Sequence, residues 1–421
     1  MKKLILTAAA CAAIVAEALT VTDVTARQRW PWNNLVDVDF IINGTAGEAY
    51  YIDISATAAG GDKKLNATSF TTEPIAATGR NRIVWNLGAD YPNFKADDLR
   101  VTVTATPFSD STPLYLVVDI SGGTSATKWP VRYTTTAPTH TAGVADPCKT
   151  TELWLKRVKA KGATVSDGNA SGQSATYQGY YAAHTCTLTN DFYLGVFPLT
   201  QAQCSRIYGN ALSTFTTDGD TRPADSIHPA NHLRSPSFDS SSPETAVSSG
   251  IVKNVQDRTG MKFDLPTEWQ WVFACKAGAT GNRYDGASES NIAHKGNSDP
   301  TDSTSSCYNT AYTSANRAQW PAGVGTSYVD AYDPNPWGFY CMLGNVWETC
   351  LNQNQTISQN SANTDLMGDS GTGYRARRGS CWSLAYSFAS TNWRSISNPN
   401  DTNNGTYILR WGARICLTVG K

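Results

Sequence analysis

Short runs of alternating hydrophobic and polar residues fill the chain from about residue 30 to residue 134. Alternation with a period of two is typical of strands that bury one face, and Gly-rich turns separate the runs. The runs are Leu35 to Ile41, Tyr50 to Ser55, Arg82 to Trp85, Leu99 to Ala105 and Leu114 to Ile120. They predict a small all-β sandwich over 30–134. No acid pair, histidine cluster or exposed nucleophile stands out there, which favours a structural or adhesive module.

The pattern changes after residue 134. Residues 135–148 are rich in Thr, Ala, Pro and Gly, which predicts a linker before a second domain over 149–421. Two segments of that domain are predicted to be helical. One is Thr200 to Tyr208, and the other follows Pro266, with Trp269, Val272 and Phe273 at helical spacing and Gly278 at its end. The remainder is loop-rich, so we expect an α+β domain with little regular structure.

The amino terminus predicts export. Lys2 and Lys3 precede an apolar run from Leu4 to Val15, and Ala16 to Ala18 provides a small-x-small cleavage pattern. We therefore expect a signal peptide at 1–18 and a secreted, periplasmic or cell-surface protein. Lipid attachment at Cys11 is the alternative. No segment approaches the ~20 apolar residues of a membrane helix, so no transmembrane segment is expected.

Composition excludes one class of partner and leaves the disulfides open. Charged residues make up 16% of the chain and the net charge is −1, so no strong field attracts nucleic acid or an anionic membrane. Cleavage of the signal peptide removes Cys11 and leaves nine of the ten cysteines. Because nine is odd, at least one thiol stays unpaired within a monomer, although export permits disulfides.

Five motifs occur in order along the second domain. They are Asp191 to Thr200, Leu265 to Trp271, Pro336 to Glu348, Arg377 to Trp382 and Trp411 to Arg414. Together they resemble the sulfatase-modifying-factor superfamily, which includes the formylglycine-generating enzyme, over about residues 149–419. The resemblance implies a C-type-lectin-like fold of low regular structure. The predicted β-sandwich lies outside it.

The third motif predicts a calcium site. Between Leu343 and Glu348 lie a flexible glycine (Gly344), the amide oxygen of Asn345, the main-chain carbonyl of Val346 and the Glu348 carboxylate, and oxygen ligands suit a hard cation. The resemblance implies the same structural calcium and a second site near Asn297. In the alternative interpretation, Asn345 and Glu348 only hydrogen-bond a buried turn around Trp347.

The fourth motif lacks the family's catalytic thiols. The resemblance implies two cysteine thiolates that hold copper(I), a soft ion that requires soft ligands, at positions that correspond to Ser383 and Phe388. Neither residue binds copper(I). Cys381 is the nearest thiol, but it is single and displaced by two positions, so we expect it to be structural. Copper is therefore not expected. A metal pair at His228 and His232 is disfavoured because Pro229 predicts a loop there.

The carboxy-terminal segment has the composition of a recognition surface. Aromatic residues supply contact area with few rotatable bonds, and Ser and Asn supply adaptable hydrogen bonds. The candidate ligand-binding residues are Trp382, Ser383, Tyr386, Phe388, Trp393, Asn398 and Tyr407. A solvated loop with a few core aromatics is the alternative. The resemblance places this stretch along the family's substrate groove, and we expect an extracellular protein, peptide or glycan ligand.

Two functional hypotheses follow. The first is an exported, non-catalytic, lectin-like recognition protein, which the missing thiols favour. The second keeps an enzyme, either a formylglycine-generating oxidase with relocated ligands or another oxidoreductase on the same scaffold.

Overall fold

The computed structural model describes most of the chain in two compact units, Met1–Thr112 and Pro113–Lys421. The described residues are 19–29, 33–109, 112–168, 178–180, 182–235, 247–281, 283–284, 325–353, 361–366, 375–382, 389–397 and 410–420. Within them, no helix has the length and apolar character needed to cross a membrane.

The amino-terminal unit consists of two antiparallel sheets. Its elements are β1 (Thr20–Gln28), β2 (Leu35–Asn43), β3 (Ala49–Ala58), β4 (Lys63–Asn66), β5 (Ile75–Ala77), β6 (Gly79–Asn86), α1 (Leu87–Asp90) and β7 (Arg100–Pro107). One sheet has the order β1-β2-β6, and in the other β3 pairs with β4, β5 and β7. Val36, Val38, Phe40 and Ile42 of β2 are all buried, so the period-two pattern marks a buried face.

The fifth predicted strand of this unit belongs instead to the carboxy-terminal unit. It is β8 (Tyr115–Asp119), which pairs with β9 (Val131–Thr134) on one side and with β10 (Glu152–Val158) on the other. The division near residue 134 is therefore corrected to Thr112 and Pro113. Alternation predicts a strand but not its sheet, and the continuous burial of Tyr115 to Val118 is typical of an interior strand with both faces covered.

The carboxy-terminal unit is rich in short strands and poor in helix. Its further elements are α2 (Pro147–Thr150), β11 (Thr164–Asp167), β12 (Gln178–Tyr180), β13 (His184–Thr187), β14 (Phe192–Gly195), α3 (Gln201–Tyr208), α4 (Ile251–Thr259), α5 (Glu268–Lys276), β15 (Trp347–Gln353), β16 (Ala362–Thr364), β17 (Arg375–Arg378), β18 (Trp393–Ser397), β19 (Trp411–Gly412) and β20 (Cys416–Thr418). The three sheets have the orders β20-β14-β10-β8-β9, β11-β13-β16 and β12-β18-β17-β15-β19. The pairs β13 with β16 and β15 with β19 are parallel, so the unit is mixed.

Both predicted helices are present, and each begins with a capping box. The hydroxyls of Thr200 and Thr267 accept hydrogen bonds from the backbone N–H three residues later, and the side-chain oxygen of the Gln at that position accepts one from the backbone N–H of the cap residue. Besides the single turn α2, helix α4 was not predicted. It buries Ile251, Val252 and Val255 between two flanking glycines, a short i, i+4 pattern that the sequence analysis missed.

Helix α5 lies in the main core of this unit. Trp269, Trp271, Val272 and Ala274 are each at most 1% exposed, and they pack with residues of β14, β15 and β20. Because α5 is buried on all sides, it shows no clean apolar stripe. The same core holds Phe339, Met342 and Leu343 of the third motif, so α5 and that motif are fixed against each other.

Candidate functional site

Two buried turns with left-handed backbone conformation are hydrogen-bonded to each other in the carboxy-terminal unit, and we call this contact the crossing. One is Gly344 and Asn345, with φ of 83° and 65°, and the other is Gly379 and Ser380, with φ of 94° and 69°. The Gly344 N–H donates to the Gly379 carbonyl over 2.6 Å, and the Trp382 N–H donates to the Asn345 carbonyl over 2.9 Å. The third and fourth motifs therefore meet through their backbones. Left-handed φ at Asn345 and Ser380 stores strain, which concentrates at functional positions.

Gly379 is expected to tolerate no side chain. A Cβ there would lie 2.9 Å from the Met342 carbonyl oxygen and 3.2 Å from the Trp271 ring. We expect Gly379→Ala to lower the free energy of unfolding by about 1–3 kcal/mol more than positive φ alone does, the cost of forcing an extra group into a packed core, measured by urea denaturation. Gly278→Ala is the matched control, because Gly278 has a similar φ of 89° but open space around its Cβ. Equal losses in the two variants would show that the crossing is not tightly packed.

The carboxylate of Glu348 is fully engaged by protein donors. Arg414 donates from Nε to Oε2 over 3.0 Å and from Nη2 to Oε1 over 2.7 Å, and Trp271 donates from Nε1 to Oε2 over 2.6 Å. Both side chains of the ion pair are at most 1% exposed. Arg414 also donates to the carbonyls of Gly195 and Tyr340. This buried pair thus joins the first, second, third and fifth motifs, and the backbone contact at Gly379 adds the fourth.

The side chain of Asn345 is likewise engaged. Its Oδ1 accepts from the Ser327 N–H over 3.0 Å, and its Nδ2 donates to the Ser327 carbonyl over 3.2 Å. The side-chain oxygens of Asn345 and Glu348 therefore do not fit a calcium ligand set, since each already accepts a hydrogen bond and Arg414 places a positive charge on the carboxylate. These contacts are those of the alternative with a hydrogen-bonded turn. Calcium binding through main-chain oxygens of Leu343, Gly344 and Val346 stays a prediction, and Asn297 lies outside the described residues.

The described candidate ligand-binding residues lie in aromatic packing. Trp382 is fully buried, and its ring meets Phe215 edge-on with centroids 5.2 Å apart. Trp393 is partly buried against a cluster of Trp347, Cys381 and Trp411. Trp382 is therefore a core aromatic residue, and Trp393 is partly exposed. The alternative interpretation expected a few core aromatic residues in this segment. The other candidates, Ser383, Tyr386, Phe388, Asn398 and Tyr407, lie outside the described residues.

Two arginines flank this aromatic cluster. The Arg377 guanidinium carbon lies 4.7 Å from the Trp411 ring centroid and 5.6 Å from that of Trp347, and Arg410 lies 6.0 Å from that of Trp382. We call these two arginines with Trp347, Trp411 and Ser380 the Arg–Trp cluster. The pKa of Arg377 is lowered to about 9, chiefly by burial, which Cys381 opposes and the charge of Arg410 reinforces. Arg377 is thus still a cation at neutral pH.

The sequence analysis quoted Arg377 and Ser380 only as motif residues and did not consider Arg410. The signal that could have identified them is chemical. The fourth motif contains two arginines and no acid, and Arg410 directly precedes the fifth motif. Cationic residues without a neighbouring acid are expected to find their partner elsewhere in the fold or in a ligand.

The described thiols are poorly suited to act as nucleophiles. Cys148, Cys186, Cys204, Cys275, Cys341, Cys350 and Cys416 are free and buried. Burial raises the pKa of Cys148 and Cys341 to about 12 and that of Cys186 to about 11. A thiol with such a pKa is protonated near neutral pH, and the thiolate is the nucleophile and metal ligand. Cys381 is fully buried as well.

The two neighbouring histidines occupy a helical turn rather than the predicted loop. Residues Pro229–Leu233 form a π-helical turn that starts at the proline, a position where the missing N–H costs nothing. The Nδ1 atoms of His228 and His232 accept from the N–H groups of Asn231 and His228. Among the described residues, no three His, Cys, Asp or Glu side chains form a group that could hold a metal.

A polar cleft lies at the far end of α5. Lys276 of α5 lies 3.3 Å from the buried Asp167 carboxylate, and the Thr391 hydroxyl donates to the same oxygen. His184 contacts the Trp269 ring edge-on at a centroid distance of 4.5 Å, and burial lowers its pKa. The sequence analysis did not connect these residues, because they come from distant segments.

The helix-poor, mixed-sheet unit with its five interlocked motifs defines a domain of the formylglycine-generating-enzyme type. The family model of the sulfatase-modifying factor enzyme 1-like domain matches residues 156–408, and the chain belongs to this family. No curated protein matches the chain.

Two solved structures are similar. Variable protein 1 of Treponema denticola shares 17% identity at a TM-score of 0.43, and the match covers 66% of this chain and 98% of that one. PvdO from Pseudomonas aeruginosa shares 16% identity at a TM-score of 0.41, with coverage of 67% and 100%.

Proposed function

We propose that this chain is an exported, non-catalytic recognition protein with a C-type-lectin-like domain. The observation that carries the proposal is the pair Ser383 and Phe388 at the positions that correspond to the family's copper-binding cysteines. A protonated hydroxyl is a hard ligand and a phenyl ring offers no lone pair, so copper(I) finds no two-sulfur site there.

The surroundings of Cys381 support the same conclusion. Its thiol is fully buried beside Trp347 and Trp411, which is the position of a packing residue. The interlocked motifs give a second argument. The Glu348–Arg414 pair and the backbone crossing hold the fold together, so a chain can keep the motifs for stability after the catalytic thiols are lost.

The recognition surface in this proposal is the carboxy-terminal segment. Trp393, at the start of β18, is partly buried beside the Arg–Trp cluster, and the aromatic, Ser and Asn residues from 382 to 407 complete the surface. The ligand is an extracellular protein, peptide or glycan. The amino-terminal unit, as a β-sandwich, positions or anchors the recognition domain, and calcium bound through main-chain oxygens at 343–346 supports it.

An activity assay separates this proposal from the enzyme alternative. Protein loaded with copper(I) is incubated aerobically with a Cys-x-Pro-x-Arg peptide, and mass spectrometry follows the cysteine. We expect no formylglycine. Turnover that disappears in Cys381→Ala but not in Cys204→Ala, a buried thiol elsewhere, would establish a formylglycine-generating oxidase and overturn the proposal.

A binding screen tests the recognition function directly. The purified protein is tested on glycan and peptide arrays, and hits are measured by calorimetry. We expect Tyr386→Ala and Trp393→Ala to weaken binding by about tenfold or more each, the size of an aromatic contact at an interface. Phe94→Ala, at a partly buried aromatic residue of the amino-terminal unit, is the control and is expected to bind normally.

A further inference from the structure

The Arg–Trp cluster contains hydrogen-bond donors without acceptors. Within the described part of the chain, Arg377 Nε, Arg410 Nε and Trp411 Nε1 are buried and have no hydrogen-bond partner, and neither does the Ser380 hydroxyl. Arginine and tryptophan nitrogens only donate. A buried donor that loses water and gains no acceptor destabilises a fold, so four such groups on the segments 377–380 and 410–411 indicate that an acceptor comes from outside the chain.

The cluster also carries positive charge that the described residues do not balance. The nearby buried arginines show the contrast, because Arg378 and Arg394 both contact Glu268 and Arg414 contacts Glu348. Arg377 is 6% exposed and donates from Nη2 to the Ser395 hydroxyl and the Ile396 carbonyl, both over 2.9 Å. No described carboxylate lies within 4 Å of its guanidinium. A buried cation of this kind calls for a counter-charge.

The aromatic rings fix the direction of the free donors. Arg377 lies over two tryptophan rings, Trp347 and Trp411, at 5.6 and 4.7 Å. Stacking against ring faces holds the guanidinium plane and leaves its edge for hydrogen bonds. Ser380, held at a φ of 69°, places its hydroxyl in the same short segment as Cys381 and Trp382.

We propose that the Arg–Trp cluster binds an oxyanion group of the ligand, a carboxylate or a sulfate, through Arg377, Arg410, Trp411 and Ser380. The proposal rests on the recognition function proposed above and names the chemistry of its ligand, an acidic peptide side chain or an acidic or sulfated sugar. The oxyanion supplies acceptors for the buried donors and charge for the two guanidinium groups. Charge-assisted hydrogen bonds of this kind are stronger than those between neutral groups.

Small anions test the proposal without knowledge of the ligand. Calorimetry and thermal unfolding are recorded with sodium acetate and with sodium sulfate at constant ionic strength, with chloride as the reference. We expect saturable binding and a rise of Tm for at least one of the two anions. The anion that saturates at the lower concentration distinguishes a carboxylate from a sulfate ligand. Sulfate stabilises proteins generally. A rise of Tm therefore counts as specific binding only if it is larger in the wild type than in the variants below.

The key variant is Arg377→Met, which keeps an unbranched side chain and removes the charge and the donors. We expect it to lose saturable anion binding and to have a higher Tm than the wild type in chloride, since an uncompensated buried charge is removed. Arg410→Gln, at a half-buried residue, is expected to weaken binding at least tenfold and keeps the test decisive should Arg377→Met not fold. Arg100→Gln, at an exposed arginine of β7, is the control and is expected to change neither quantity.

Two results would overturn the inference. One is an anion response in Arg377→Met and Arg410→Gln equal to that of the wild type. The other is the absence of saturable binding of both anions to the wild type. Either leaves the recognition function intact if array ligands still bind, whereas formylglycine turnover refutes that function independently.

Discussion

Glu348→Ala is expected to lower the free energy of unfolding by about 3–5 kcal/mol, the cost of breaking a buried ion pair by removing one partner. The Arg414 guanidinium is fully buried and donates from three nitrogens to Glu348, Gly195, Val196 and Tyr340. Without the carboxylate its charge is left in the core, and Trp271 Nε1 loses its acceptor. Urea denaturation measures the loss.

The controls for this prediction distinguish the stability lost with the charge from that lost with the side-chain shape and from that lost with bound calcium. Glu348→Gln retains an acceptor for Trp271 and is expected to lose less stability than the alanine variant. Asp39→Ala removes half of an exposed pair with Arg82, and such pairs contribute about 0–1 kcal/mol. If the ion pair is the main role of Glu348, the loss is the same with and without chelator.

The calcium hypothesis predicts a different result for the same variant. A bound ion stabilises by RT ln(1 + [L]/Kd), roughly 2.7 kcal/mol at a hundredfold excess over Kd. With the Glu348 carboxylate as a calcium ligand, chelation would lower the stability of the wild type and Glu348→Ala would remove most of that sensitivity. Because Arg414 and Trp271 already engage this carboxylate, we expect the variant instead to keep the chelator response of the wild type. A variant that unfolds at the same urea concentration as the wild type would contradict both roles of Glu348.

The sequence predicted local elements well and their partners less well. The capping residues Thr200 and Thr267 located both expected helices, because a capping box is a local signal. The strand Tyr115–Asp119 was also found, but it was assigned to the wrong unit. Its pairing with Glu152–Val158 depends on long-range contacts that alternation does not encode.

The site shows the same division between residue type and partner. The sequence identified Asn345 and Glu348 as buried polar residues of interest, and oxygen chemistry made calcium the natural hypothesis. Their partners, Ser327 for Asn345 and Arg414 for Glu348, are 18 and 66 residues away. A carboxylate that binds a metal and one that binds an arginine are the same residue in a sequence. Only the fold distinguishes them.

The motifs that identify the family are thus mainly contacts of the scaffold. Glu348 and Arg414 belong to the third and fifth motifs and form one ion pair, and Gly344 and Gly379 form the crossing between the third and fourth. The resemblance places the copper-binding thiolates outside these scaffold contacts, at positions that correspond to Ser383 and Phe388, and neither residue supplies a sulfur ligand.

Glu268→Ala is expected to be at least as damaging as Glu348→Ala, because this carboxylate serves two cations. Its Oε1 lies 2.7 Å from Arg378 Nε and 2.8 Å from Arg394 Nε, and all three side chains are at most 2% exposed. Glu268 is also the first residue of α5, where a negative charge is favoured by the helix dipole. We expect a loss of about 3–5 kcal/mol or more in urea denaturation.

A second substitution tests the cause of that loss. If the damage comes from cations left without a partner, adding Arg378→Met to Glu268→Ala restores part of the stability, since one buried charge is removed and an unbranched apolar side chain fills part of its place. Arg132→Met, at a partly exposed arginine of β9, is the control second substitution and is expected to restore nothing. A double variant with Arg378→Met that is less stable than Glu268→Ala alone would show that Arg378 stabilises the fold chiefly through its contacts with the Thr391 carbonyl and the Trp269 ring. In that case the ion pair with Glu268 is secondary.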